Sequence, residues 1–220
     1  MQGVLTLVYY PVMLNLENKN CVVVGGGKVA TRKIASLMQA KANITVVSPE
    51  FTKEILQWNE ANLLSIKKKP FDTDDVKDAF LVVAATNSSQ INLQVFDALN
   101  PNQLINIVDH PELCNFIVPT TIHRGKLTIA ISTSGSSPLL AKKIKLDLEE
   151  ILDDSYEQYL NFLDEARKEI KMKIIDIRRR RELFEHLLDP IYLEYIRAGN
   201  IAKCKTHLRE VIRKVEGRLE

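Results

Sequence analysis

Cys21-Val22-Val23-Val24 runs directly into Gly25-Gly26-Gly27-Lys28-Val29-Ala30. An apolar run with no polar face reads as a strand buried on both sides, as in a parallel sheet. The G-x-G-x-x-A pattern that follows opens a dinucleotide site when it joins such a strand to a helix. Gly25 permits the tight turn, Gly27 leaves room for backbone to approach a pyrophosphate, and Ala30 lets the helix pack on the sheet. The helix then offers the free N–H groups of its first turn to the phosphates. Glycines also serve any sharp turn, so the context matters. Ala30, Ile34, Leu37 and Met38 recur at the helical period, and Ile44-Thr45-Val46-Val47 supplies a second strand. A complete βαβ unit is expected, with Gly25, Gly27, Lys28 and Val29 around the phosphates of a nicotinamide or flavin cofactor.

The end of the second strand normally carries an acid for the ribose hydroxyls of NAD, and here it reads Ser48-Pro49-Glu50. Ser48 could bond the adenosine ribose and Glu50 could reach round to it. No Arg stands nearby to receive the extra phosphate of NADP, so NAD is favoured. Ser48, Pro49 and Glu50 are expected on the adenosine side.

Further along, residues 50 to 59 read as a helix, 64 to 66 as a short strand and 80 to 85 as a buried strand. Thr86-Asn87-Ser88-Ser89 caps the next helix, and residues 104 to 108 form another strand. Residues 5 to 14 could add an edge strand. The fold class expected is α/β: an N-terminal Rossmann-type parallel sheet, then a small mixed dimerisation segment, then an all-helical C-terminal domain. The boundaries fall at 1–112, 113–150 and 151–220. In the middle segment, residues 115 to 119 and 127 to 132 read as strands around a polar turn at His123-Arg124-Gly125-Lys126.

With 220 residues, 45% of them hydrophobic, the chain can bury a real core, and its formal charge of +2 is too mild to imply nucleic acid. No apolar stretch is long enough to span a membrane, and Met1 to Leu5 lacks the charged flank of a leader, so a cytoplasmic protein is expected. Cys21, Cys114 and Cys204 are widely spaced and outside any CxxC pair. Neither a disulfide framework nor a zinc site is indicated, and no metal ligands are assigned.

Four segments in order resemble the precorrin-2 dehydrogenase family, the NAD-dependent module of siroheme synthases. They are Gly25 to Lys33, Ala84-Ala85-Thr86-Asn87, Val108-Asp109-His110-Pro111 with Phe116-Ile117-Val118-Pro119, and Ser132-Thr133-Ser134-Gly135-Ser136-Ser137-Pro138. The resemblance covers roughly residues 10 to 150. It implies oxidation of precorrin-2 to sirohydrochlorin with NAD as hydride acceptor, in a homodimer whose middle segment forms much of the interface. It also implies that Asp109 is the catalytic acid/base. The residues point the same way, because ligands of an open α/β sheet lie beyond the carboxyl ends of the strands, where Asp109 follows residues 104 to 108. A carboxylate there can accept the proton that accompanies a hydride, although Asp also serves in turns. His110 stands second to it. Thr86 and Asn87 are expected at the strand end nearer the nicotinamide.

In the family the hydroxyl-rich segment lines the substrate site, which nominates Ser132, Thr133, Ser134 and Ser136, although capping of the following helix is the plainer role. Alignment back from Ser137-Pro138 puts Thr133 where some relatives have serine and Ser134 where they have glycine. The acetates and propionates of such a tetrapyrrole call for a basic surface, for which Arg124 and Lys126, with Lys142, Lys143 and Lys145, are candidates. Arg178 to Arg181 is followed by Glu182 and Glu185, the pattern of an exposed helix with local ion pairs. Two other readings compete: a bifunctional enzyme that also inserts iron into sirohydrochlorin, and a non-catalytic redox sensor that needs the glycine loop but not Asp109. Nucleic-acid binding through the arginine run ranks last.

Overall fold

The computed structural model describes residues 9–216. The chain divides into two units, the first ending at Val118 and the second beginning at Pro119. In the first, β1 (Asn20–Val24), β2 (Asn43–Val47), β3 (Ser65–Lys67), β4 (Leu81–Ala84) and β5 (Leu104–Ile107) form one parallel sheet in the order β3-β2-β1-β4-β5. The helices α1 (Lys28–Gln39), α2 (Lys53–Glu60) and α3 (Ser89–Asp97) connect them. The strand order reverses between β1 and β4, where such sheets open a crevice at their carboxyl ends.

The central strands are apolar on both faces because both faces are covered. One face packs Cys21, Val23, Val46, Leu81 and Val83 with Ala30, Ile34 and Leu37 of α1. The other packs Val22, Val24, Val82, Ile105 and Ile107 with Val95 of α3. Caps set the helix starts: the Thr52 hydroxyl accepts from Ile55 N–H, and the Ser88 hydroxyl from Ile91 N–H. Residues 9–14 form no strand, so the expected edge strand is absent there. The remainder of that stretch, like the leader reading of Met1 to Leu5, lies outside the described residues.

Residues 115–119 also depart from expectation, since the next strand begins only at Thr120. Side chains explain it. Asn115 Oδ1 accepts from Ile105 N–H at 2.8 Å while Asn115 Nδ2 donates to the Gln103 carbonyl at 2.7 Å. Ile107 N–H meets Cys114 Sγ at 3.1 Å. Apart from one backbone bond, Asn115 N–H to the Ile105 carbonyl at 3.3 Å, groups that would have joined a ladder are taken by an amide and a thiol, so the segment forms no strand beside β5.

The second unit holds an antiparallel hairpin, β6 (Thr120–Arg124) and β7 (Leu127–Ile131), then α4 (Pro138–Ile151), α5 (Ser155–Lys173), α6 (Ile177–His186), α7 (Pro190–Arg197) and α8 (Ile201–Glu216). Its helical core is built from Phe162, Ala166, Ile170, Leu183, Tyr192, Ile196, Leu208 and Ile212. The Phe162 and Tyr192 rings stack at 5.2 Å. Asp189-Pro190 and Gly199 break the helices where the sequence suggests. Among the described residues no helix is long and apolar enough to cross a membrane.

Asp75, its side chain only 3% exposed, receives Lys67 at 2.9 Å and Lys69 at 2.8 Å, which ties β3 to the turn before β4. Burial opposes the charge, but the two ammonium groups and the Asp72 N–H hold the carboxyl below its ordinary 3.8. A depressed native pKa stabilises the fold above the unfolded value, and that contribution is lost as pH falls through the folded one. Asp75→Asn should therefore cost about 1–3 kcal/mol at pH 7, with the gap to the parent closing below about pH 4 in urea titrations.

Candidate active site

At the carboxyl ends of β1, β2 and β4 lies a cleft of about 680 Å³ lined by Val24 to Gly27, Val47 to Thr52, Pro70, Phe71, Ala85 to Ser88 and Ile91. Its floor is a convergence of backbones. Gly25 has φ +120°, and a side chain there would overlap the Ala85 carbonyl oxygen. A side chain at Gly26 would overlap the Glu50 carbonyl oxygen. Hydrogen bonds lock the approach: Gly25 N–H to the Val47 carbonyl at 2.9 Å, Ala85 N–H to that of Val24 at 2.8 Å, and Thr52 N–H to that of Gly26 at 2.9 Å.

Gly27 behaves differently. A Cβ there would meet nothing within 4 Å, and as N-cap of α1 the residue makes no side-chain hydrogen bond. The first N–H groups of α1 therefore face open space at the positive end of the helix, an arrangement that suits a diphosphate. These features fit a dinucleotide: an uncapped helix N-terminus, glycines where side chains would block, and a cleft of about 680 Å³. Of the nine residues expected to touch the cofactor, Gly25, Gly27, Ser48, Pro49, Glu50, Thr86 and Asn87 line the cleft. Lys28 and Val29 open α1 and are exposed, but their side chains are not part of the lining. Gly26, Phe51, Thr52, Pro70, Phe71 and Ile91 were not anticipated. For Gly26 the signal was present, as the unassigned middle glycine of the triplet.

Asp109 lies just past β5, half-exposed, with its carboxylate turned to α3. Asn92 Nδ2 donates to Asp109 Oδ1 at 2.8 Å. Partial burial pushes the Asp109 carboxyl up, but hydrogen bonds from Ser89 and Asn92, with the nearby His110 ring, bring it below the ordinary 3.8. It is a carboxylate at neutral pH, able to accept a proton and not to donate one. His110 joins this network: Nε2 lies 2.6 Å from Ser89 Oγ and 3.8 Å from Asp109 Oδ2, and Nδ1 lies 3.0 Å from Glu112. Asn92 also accepts from the Thr86 hydroxyl at 2.8 Å, which links Asp109 to the wall of the cleft through one buried amide.

The substrate-side candidates belong to the second unit. Arg124 donates to the Leu152 carbonyl at 3.0 Å and pairs with Asp154 at 3.2 Å, and Lys126 pairs with Asp164 at 2.7 Å. Both cations are engaged within their own unit. Ser132 Oγ accepts from Ser134 N–H, Thr133 Oγ1 from Ser137 N–H, and Ser137 caps α4. Ser134 (φ 50°) and Gly135 (φ +86°) turn the chain through left-handed conformations, leaving the Ser134 and Ser136 side chains exposed. Arg180 donates to the Ile174 and Lys171 carbonyls and Arg181 pairs with Glu185 at 3.1 Å, so half of the arginine run serves helix ends and local pairs.

Comparison with known proteins agrees with this architecture. A family model for NAD(P)-binding domains matches residues 12–120, one for the central part of sirohaem biosynthesis proteins matches 124–151, and one for the SirC C-terminal domain matches 156–195. A precorrin-2 dehydrogenase from Priestia megaterium is 39% identical over 183 residues, covering 83% of this chain and 91% of that protein. The chain belongs to the precorrin-2 dehydrogenase family. A solved structure of SirC, a precorrin-2 dehydrogenase, superposes with a TM-score of 0.78 at 36% identity, covering 95% of this chain and all of that one. A siroheme synthase from Nitrosococcus oceani is 35% identical over 192 residues, and this family member spans only 41% of its length.

The glycines make separable predictions. Gly26→Ala should cost more than about 3 kcal/mol or abolish folding, because backbone cannot yield. Gly27→Ala should fold with stability within about 1 kcal/mol of the parent yet lose NAD affinity at least tenfold, measured by calorimetric titration alongside thermal melts.

Proposed function

We propose that this protein oxidises precorrin-2 to sirohydrochlorin with NAD. The observation that carries the reading is the Asp109 carboxylate at the end of β5, one buried amide away from the glycine-floored cleft. The oxidation removes a hydride and a proton from the macrocycle. NAD, when bound, supplies the hydride acceptor. Gly25 and Gly27, with the first N–H groups of α1, would hold its phosphates. Ser48, Pro49 and Glu50 would flank the adenosine, and Thr86 and Asn87 would lie nearer the nicotinamide. NAD is preferred to NADP because Ser48 and Glu50 offer an additional phosphate no cation.

Asp109 takes the proton. It is ionised before the substrate arrives, and 39% side-chain exposure lets it return the proton to water afterwards. The Ser132 to Ser136 loop, with Arg124 and Lys126, would contact the substrate's carboxylates. Since Arg124 and Lys126 are paired within their unit, a substrate carboxylate would have to compete with Asp154 and Asp164 for them. The homodimer is supported by α4, whose Leu139, Leu140, Leu146 and Ile151 are all exposed. A cytoplasmic location is supported by three cysteines that are all free thiols.

Enzymatically generated precorrin-2 incubated with the protein and NAD should give the sirohydrochlorin spectrum together with NADH. Asp109→Asn should lower turnover at least about 100-fold, with NAD affinity within twofold of the parent. Because the Asp109 carboxyl lies below the usual range, kcat/KM should show no acidic limb from this group above about pH 4. NAD binding without any conversion by the parent would overturn the enzymatic reading and favour the sensor.

A further inference from the structure

Asn92 is the most deeply buried polar residue of the first unit, with no exposed surface, and it sits mid-helix in α3. Asparagine is a poor choice for a helix interior, and burying its amide is costly unless every polar atom is bonded. Here every one is. Oδ1 accepts from Thr86 N–H at 3.2 Å and from the Thr86 hydroxyl at 2.8 Å. Nδ2 donates to Asp109 Oδ1 at 2.8 Å and lies 3.4 Å from the Thr86 carbonyl oxygen.

The orientation of this amide follows from its partners. A backbone N–H can only donate, so the atom facing Thr86 N must be the oxygen, and the atom facing Asp109 must then be the NH₂ group. That group can only donate, and it therefore favours the form of Asp109 that accepts at Oδ1. The Thr86 hydroxyl accepts from Ser88 N–H at 3.1 Å and has both Asn92 Oδ1, at 2.8 Å, and the Ser88 carbonyl, at 2.9 Å, as acceptors for its one proton, so it is the Thr86 N–H that fixes the amide. The residues around Asn92 thus permit one arrangement of donors, aimed at one carboxylate oxygen.

We propose that Asn92 is a positioning residue for the reaction: its amide, fixed by Thr86 on the cleft wall, holds the Asp109 carboxylate in one orientation and keeps it ready to accept a proton. The inference rests on the reading of Asp109 as the base. The same amide bonds a cleft residue and the carboxylate, so the turn after β4 and the end of β5 keep a constant spacing. Ser89, one turn earlier on α3, contributes a second uncharged group to Asp109. The titratable groups facing the carboxylate are His110, 3.8 Å away, and Glu112 behind it.

Asn92→Asp tests this, because it keeps the acceptor for Thr86 and replaces the donor with a group that repels a carboxylate. Carbon-13 NMR of the aspartate carboxyls, with Asp109 assigned from its absence in Asp109→Asn, reads the titration without substrate. The midpoint of Asp109 should move up by about one pH unit or more. In kcat/KM for precorrin-2 an acidic limb should appear that the parent lacks, with activity recovering as pH rises and NAD affinity within threefold of the parent. An unmoved Asp109 midpoint would show that the residue 92 side chain does not act on the carboxylate, and a kcat/KM lowered equally at all pH values would show that its action has no part in the reaction; either result would overturn the proposal. Should Asn92→Asp fail to fold, the parent suffices: the Asn92 side-chain amide protons should shift through the Asp109 titration and be flat in Asp109→Asn. Flat amide resonances in the parent would likewise overturn it. A parent that shows these shifts but never converts precorrin-2 would retain the positioning and remove the enzymatic reading.

Discussion

Three strand ends can meet in the first unit because two of the three glycines between β1 and α1, Gly25 and Gly26, stand where no side chain would fit. The turn after β1 lies against the carbonyl of Ala85 on one side and that of Glu50 on the other, closer than any Cβ would allow. Backbone hydrogen bonds from Gly25, Ala85 and Thr52 then hold the three segments together. The cleft is the volume left above that junction, and α1 begins at its lip. Burial of the valine-rich strands stabilises the sheet, but the glycine contacts decide where it opens. The loops after β2 and β4 cannot be moved apart or exchanged for bulkier turns without losing both the packing and the cavity.

Much of this could be read in advance, and the failures have physical causes. The strand, turn and helix of the β1 to α1 junction are written in ten consecutive residues, whereas its contacts with Glu50 and Ala85 are not. Asp109 is nominated by the family resemblance and by its place after a parallel strand, and it does stand just past β5. Asn92 is not nominated, because an asparagine at an ordinary helical position carries no sign that a carboxylate from a strand seventeen residues later will be brought against it. The strand expected over residues 115 to 119 failed for a similar reason: the apolar run Phe116-Ile117-Val118 suggested a ladder, and the Asn115 and Cys114 side chains occupy most of it instead. Arg124 and Lys126 were nominated by charge alone, and charge does not reveal that Asp154 and Asp164 are already beside them.

The two carboxylates of the first unit with the most ordered surroundings illustrate how burial decides role. Asp75 is almost wholly covered and is matched by two lysines, so its charge is neutralised and serves to join β3 to the turn that follows. Asp109 is held by neutral donors and stays partly open to water. The His110 ring, 3.8 Å away, is the charged or chargeable group beside it, an environment that suits the proton-accepting role proposed for Asp109. Both carboxyls lie below the ordinary range, yet one result comes from ion pairing and the other mainly from hydrogen bonds. A depressed pKa by itself does not separate a structural acid from one proposed for chemistry; the identity of the partners is what differs.

The residues that follow β5 have another effect. In a parallel strand alternate residues turn their N–H and C=O groups to opposite sides, and Ile105 and Ile107 turn theirs away from β4. Such groups ordinarily make an open sheet edge adhesive toward any extended chain nearby. Here the Asn115 amide and the Cys114 sulfur occupy them. At the opposite margin β3 is only three residues long. The sheet therefore offers little template at either side for a stray strand, and the same loop that carries Asp109 into place closes the margin of the sheet from which it leaves.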